Sequence, residues 1–198
     1  MELLLLFRKK KRNPLIRPLS LLSLEDSDTS RDVLRSSNEE VQFPLSEEDL
    51  STLLSMESLL YKLGGVGLAA PQVGVNKKMA VIFIPEAAAS HGVQPREMHE
   101  IINPQYEPLD HHPQVNTQTE IEGCHSVKCV KGPVARHDLI RVTYQDRSGL
   151  RYSREEGGFY SRVLQHEIDH LQGTLFVDRV VFAHLHRSVD YHLIFTWE

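Results

Sequence analysis

The chain has 198 residues, of which 40% are hydrophobic and 25% charged, with 22 Lys+Arg against 27 Asp+Glu for a formal charge of −5. This composition excludes wholesale disorder, and a mildly acidic chain has no general attraction for nucleic acid or anionic lipid. Two cysteines cannot staple a fold of this size, so a reducing interior and a conventional apolar core are expected.

The apolar run at residues 3–7 falls far short of the roughly 20 residues needed to span a bilayer. Its basic residues, 8–12, follow it, whereas a signal peptide carries them in front. No membrane anchor, signal or sequence-specific nucleic-acid element is therefore expected, and the cytoplasm is the expected location. Residues 20–48 are rich in Ser, Asp and Glu without sustained periodicity. We read residues 1–45 as an N-terminal arm and residues 46–198 as one folded domain.

That domain opens with Ser46-Glu-Glu-Asp49, which resembles a capping box, and Leu50, Leu53, Leu54, Met56, Leu59 and Leu60 continue at helical spacing to a stop near Gly64-Gly65. A short Gly/Ala segment leads to residues 77–84, whose unbroken Met-Ala-Val-Ile-Phe-Ile run suits a strand buried on both faces. Residues 86–99 read as a surface loop and 100–106 as a returning strand, with another loop at 110–119. Alternation at Ile140, Val142 and Tyr144, then Asp146-Arg-Ser-Gly149, then Leu150 and Tyr152 describes a β-hairpin. From Phe159 to Leu171 the period becomes helical and stops at Gly173. Several strands between two helices, without βαβ alternation, imply an α+β fold in which antiparallel or mixed sheets pack around the late helix. Residues 181–198 fit either a closing helix or a strand.

The late helix holds His166-Glu-Ile-Asp-His170. Four residues make about one turn, so both imidazoles leave the same face and can grip one metal, with Glu167 beside them. Leu164, Ile168 and Leu171 form an adjacent apolar stripe that can dock the helix. Two histidines need a third protein ligand, leaving one coordination position open. A zincin-type peptidase would place that ligand downstream, but the third-histidine position of the metzincin pattern is Phe176, and the only glutamate after the helix is Glu198. Upstream stands Glu122-Gly-Cys124-His-Ser126, where a thiolate offers a strong ligand for Zn²⁺ or Fe²⁺. Cys129 is five positions on, a spacing that does not suggest zinc, and reads as a small buried or semi-exposed residue. In Gly65-Val-Gly67-Leu-Ala-Ala-Pro71-Gln72, the small residues would let a ligand lie against the backbone and Gln72 could donate to a developing oxyanion. His111, His112, His184, His186 and His192 lack the surrounding cysteines or spaced carboxylates of a second site.

With these three elements in order, the sequence resembles the peptide deformylases, whose motifs are G-φ-G-φ-A-A-x-Q, E-G-C-x-S and Q-H-E-φ-D-H-L-x-G. They stand here at residues 65–72, 122–126 and 165–173, and together with weaker similarity at 13–17 and 175–178 they cover most of residues 13–180. The resemblance implies removal of the formyl group from N-terminal formylmethionine of nascent proteins, near the ribosome exit, within a catalytic domain spanning residues 46–198. It implies one divalent metal held by Cys124, His166 and His170, with Fe²⁺ the physiological ion and Zn²⁺, Ni²⁺ or Co²⁺ compatible. It further implies that Glu167 shuttles the proton, that Gln72 and the backbone N–H of His125 receive the oxyanion, and that Gly67, Val66, Val163 and Lys131 contact substrate. The chain departs from the family at His125, usually leucine, and at Lys131, usually arginine, whose bidentate fork lysine lacks. His125 and Lys128 also motivate a binding module for peptide N-termini with little turnover; the presence of Glu167 argues against it.

Overall fold

A computed structural model of the chain describes residues 16–109, 117–180 and 186–187. Helix α1 (Asp28–Arg35) falls in the stretch that lacks apolar periodicity; its signal is the Ser27 cap, whose side chain accepts from the Ser30 N–H at 3.0 Å. Helix α2 (Glu47–Leu63) starts at Ser46, whose hydroxyl accepts from the Asp49 N–H at 3.1 Å. It ends at Gly64 in the left-handed conformation, as its sequence predicts.

Strands β1 (Gly67–Ala69), β2 (Met79–Ile84), β3 (Arg96–Pro108), β6 (Leu139–Gln145) and β7 (Arg151–Gly157) form one antiparallel sheet in the order β1-β2-β3-β6-β7. Strands β4 (Thr117–Cys124), β5 (Val127–His137) and the short β8 (His186–Arg187) form a second sheet in the order β4-β5-β8. The predicted 86–99 loop holds a 3₁₀ turn (Glu86–His91), but β3 already begins at Arg96. Most of the predicted 110–119 loop, with His111 and His112, lies outside the described residues. So does most of the 181–198 segment, where His186–Arg187 pairs its backbone with Val130 and Lys131.

The large sheet is apolar on both faces, which explains the continuous β2 run. Ala80, Ile82 and Ile84 pack toward helix α3 (Gly158–Leu171), whereas Met79 and Val81 pack with Leu53, Met56 and Leu60 of α2. Helix α3 contacts both sheets and is buried from Tyr160 to Leu171. Val163, Leu164, Ile168 and Leu171 face the large sheet, leaving Arg162, His166 and His170, spaced by four, for the other side. At its end Gly173 has φ +72, and a Cβ there would lie 2.3 Å from the Arg35 carbonyl oxygen. Only glycine permits both that conformation and that approach of α1. Helix α4 (Phe176–Arg179) follows, and Phe176, Leu175 and Val180 form a smaller core with Val127 and Val134.

Candidate metal centre

Two segments converge on the polar face of α3. The β4–β5 hairpin closes tightly, Cys124 pairing with Val127 across a register break that follows Gly123. The bulge re-aims Cys124 toward the helix, and its sulfur lies 3.2 Å from Nε2 of His170. Ligand atoms of Cys124, His166 and His170 all lie within 4.8 Å of one another. One sulfur and two imidazoles, the rings held on successive turns of one helix, fit a single divalent ion with an open position.

The charges around this centre act differently on its two rings. Burial opposes charge on His166, but the Cys124 sulfur and the Glu122 carboxylate outweigh it and push the imidazole up to about 10. Burial and the charge on His166 hold His170 well below its ordinary value, so its ring offers a lone pair. Glu122, fully buried, accepts from Nδ1 of His166 at 3.0 Å, which leaves Nε2 of that ring for a metal. Burial would raise the Glu122 carboxyl, yet its bonds to His166 and Arg136 hold it far below the carboxylate range. Arg136 grips it at 3.0 and 2.9 Å and also binds Asp169, which Arg179 holds at 2.5 and 2.6 Å.

Glu167 is buried beside the two histidines. Burial pushes its carboxyl up to about 7, and its Oε2 has no hydrogen-bond partner among the described residues. A buried carboxyl with a pKa near neutrality can both take and give a proton. Gly67 on β1 packs against it. Gln72 is held by the Ala69 N–H, which donates to its Oε1 at 2.8 Å, so that Nε2 points to the Cys124 sulfur at 3.4 Å and the Ser126 hydroxyl at 3.3 Å.

The chain belongs to the peptide deformylase family. The polypeptide deformylase family model matches residues 24–185. A peptide deformylase of Limosilactobacillus reuteri is 42% identical over 169 residues, covering 77% of this chain and 89% of the relative. One from Streptococcus gordonii is 34% identical over 182 residues, covering 84% and 89%. Among solved structures, the class I type b peptide deformylase of Acinetobacter baumannii aligns with a TM-score of 0.70 at 28% identity over 83% of this chain and 99% of that one. The Synechococcus elongatus enzyme aligns at 0.68 and 34% identity, over 84% and 82%. The activity is therefore metal-dependent hydrolysis of the N-formyl group of nascent proteins, and the peptidase and binding-module readings are not favoured.

Other residues expected at the deformylase site fall in different surroundings. His125 is exposed at the hairpin turn, its Nε2 3.1 Å from where a Cβ on Gly65 would lie, so the ring spans from the cysteine motif to the glycine motif. Val66 and Val163 share one apolar cluster, and Lys131 stands opposite Gly123, one residue from Cys124. Cys129 is exposed, with φ 59.

Several contacts around the site escaped the sequence reading. Arg136 and Arg162 carry no motif signal, because an arginine becomes a partner of Glu122 only once strands and helix are assembled. A strap from the predicted arm also reaches the site: the Leu22 N–H donates to the Gln72 carbonyl at 2.8 Å and the Leu24 N–H to the Ser126 carbonyl at 3.0 Å. Lys128 secures this strap to Asp26 at 2.8 Å.

Proposed function

We propose that this chain deformylates N-formylmethionyl proteins in the cytoplasm as they leave the ribosome, with Cys124, His166 and His170 holding Fe²⁺ as the physiological ion. Zn²⁺, Ni²⁺ or Co²⁺ would suit the same donors. The observation that carries the reading is the convergence of one sulfur and two imidazole nitrogens beside the buried Glu167. When bound, the ion would supply Lewis acidity toward water and the formyl oxygen. Glu167 takes a proton from water as its oxygen attacks the formyl carbon, then delivers that proton to the amine as the C–N bond breaks and formate leaves. The Gln72 amide and the backbone N–H of His125 donate to the formyl oxygen as it gains charge.

Gly67 presents its backbone to the peptide, Val66 and Val163 wall the methionine side chain, and Lys131 contacts the peptide beyond it. Residues 46–198 constitute the catalytic domain in this reading, with 1–45 as an arm laid against it. No described helix is long and apolar enough to cross a membrane. The Acinetobacter relative is solved with Met-Ala-Ser bound, the product that formyl-Met-Ala-Ser would leave here.

The test is anaerobic purification with elemental analysis, followed by formate release from formyl-Met-Ala-Ser. Stoichiometric iron and turnover that falls by about 10²-fold or more in Glu167→Ala are expected. A metal-replete wild type no faster than Glu167→Ala would defeat the proposal.

A further inference from the structure

Arg162 is a buried arginine on α3 that lies outside all three motifs. It precedes His166 by one turn and His170 by two, on the same helix face. Its Nη1 donates to Oε1 of Glu122 at 2.7 Å and to the Val134 carbonyl at 3.0 Å. Its Nη2 donates to the Gln118 carbonyl at 2.6 Å, and its Nε lies 3.2 Å from Glu120. Glu122 already has a two-point partner in Arg136, so its position does not require a second guanidinium. What the second one adds is charge.

Glu122 and Asp169, both fully buried, face Arg136, Arg162 and Arg179, two negative charges against three positive; Glu120, 52% exposed, evens the count from the solvent side. A positive charge held on the carboxylate that backs a metal ligand opposes any cation at the centre. It also draws electron density away from the bond to Nδ1 of His166, weakening that ring as a donor. We propose that Arg162 is a positioning residue that acts through Glu122 to limit how tightly the Cys124/His166/His170 centre holds its divalent ion. Its bonds to Gln118 and Val134 tie α3 to β4 and β5; the effect on the ion comes from its charge.

This inference rests on the reading of those three residues as ligands, and the experiment separates the two. The full chain, stripped of metal, is titrated with Co²⁺ while the thiolate-to-cobalt absorption is followed, and competition with a chelating dye yields Kd. A wild type without that absorption would sink the ligand assignment itself. With it present, Arg162→Gln is expected to tighten Co²⁺ by about tenfold, whereas Arg162→Lys, which keeps the charge and loses the fork, stays within about twofold of wild type. Unchanged or weaker binding in the glutamine variant, or equal shifts in both, would overturn the proposal, because a purely structural tie would be lost alike in each. Should Arg162→Gln fail to fold, Glu120→Gln removes only the half-exposed carboxylate that offsets Arg162. It is expected to loosen Co²⁺ by about threefold, and unchanged or tighter binding there would be equally fatal.

Discussion

A Cβ atom on Gly67 would lie 2.2 Å from Oε1 of Glu167 and 2.6 Å from its carboxyl carbon. The β1 backbone therefore forms the wall against which the Glu167 carboxylate is set, and no side chain fits between them. Gly67→Ala must displace either the strand or the carboxylate. Because misplacing a reacting group by about 1 Å can cost about 10²-fold in rate, kcat/KM for formyl-Met-Ala-Ser should fall by about that factor. Near wild-type turnover in a folded Gly67→Ala would show that Glu167 does not work from this position.

Metal removal should affect stability as well as rate. A ligand that binds only the folded chain stabilises it by about 2.7 kcal/mol at a free concentration one hundred times Kd. Dialysis against a chelator is expected to abolish formate release and to lower Tm, with both restored by Fe²⁺ or Co²⁺ under anaerobic conditions. Equal melting curves with and without metal would argue against a cation bound inside the fold.

Asn103, at φ 49, joins β3 to the segment before α2: its Oδ1 accepts from the Val41 N–H at 2.8 Å and its Nδ2 donates to the Val41 carbonyl at 2.9 Å. Asn103→Ala removes both bonds at a left-handed position that alanine adopts poorly, a loss of about 2–4 kcal/mol. Urea denaturation should show it, while kcat of the folded variant stays close to wild type. A change below about 1 kcal/mol would mean that Val41 finds other partners.

Acid should weaken the fold partly through Glu100. Burial alone would raise this carboxyl, but Arg147, bonding it at 2.7 Å through both Nε and Nη2, outweighs burial and holds it below the ordinary range. A carboxyl depressed in the folded state contributes stability in full above its unfolded value of about 4.3, and loses it as pH falls through the folded value. The urea midpoint of wild type should therefore exceed that of Glu100→Gln near neutrality, and the gap should narrow below about pH 5. A gap of constant size down to the acid limit would assign the stability to something other than this ionisation.

Features carried by local spacing were legible in the chain alone. The Ser46 cap and Gly64 stop bound α2, the alternation around residues 146–149 made the β6–β7 hairpin, and a repeat of four put His166 and His170 on one face. The three motifs in order sufficed to indicate the family and its reaction. Helix α1 escaped because its signal is a cap rather than an apolar stripe, and caps without periodicity are common in turns. Tertiary structure alone decided what surrounds the centre. The Cys124 sulfur meets His170 across 46 positions, Arg136 and Arg162 meet Glu122 across 14 and 40, and Leu24 meets Ser126 only because the strap crosses the hairpin. Charge and hydrogen bonding at a buried site depend on distance through the folded molecule, and sequence separation does not encode that distance until sheets and helix have packed.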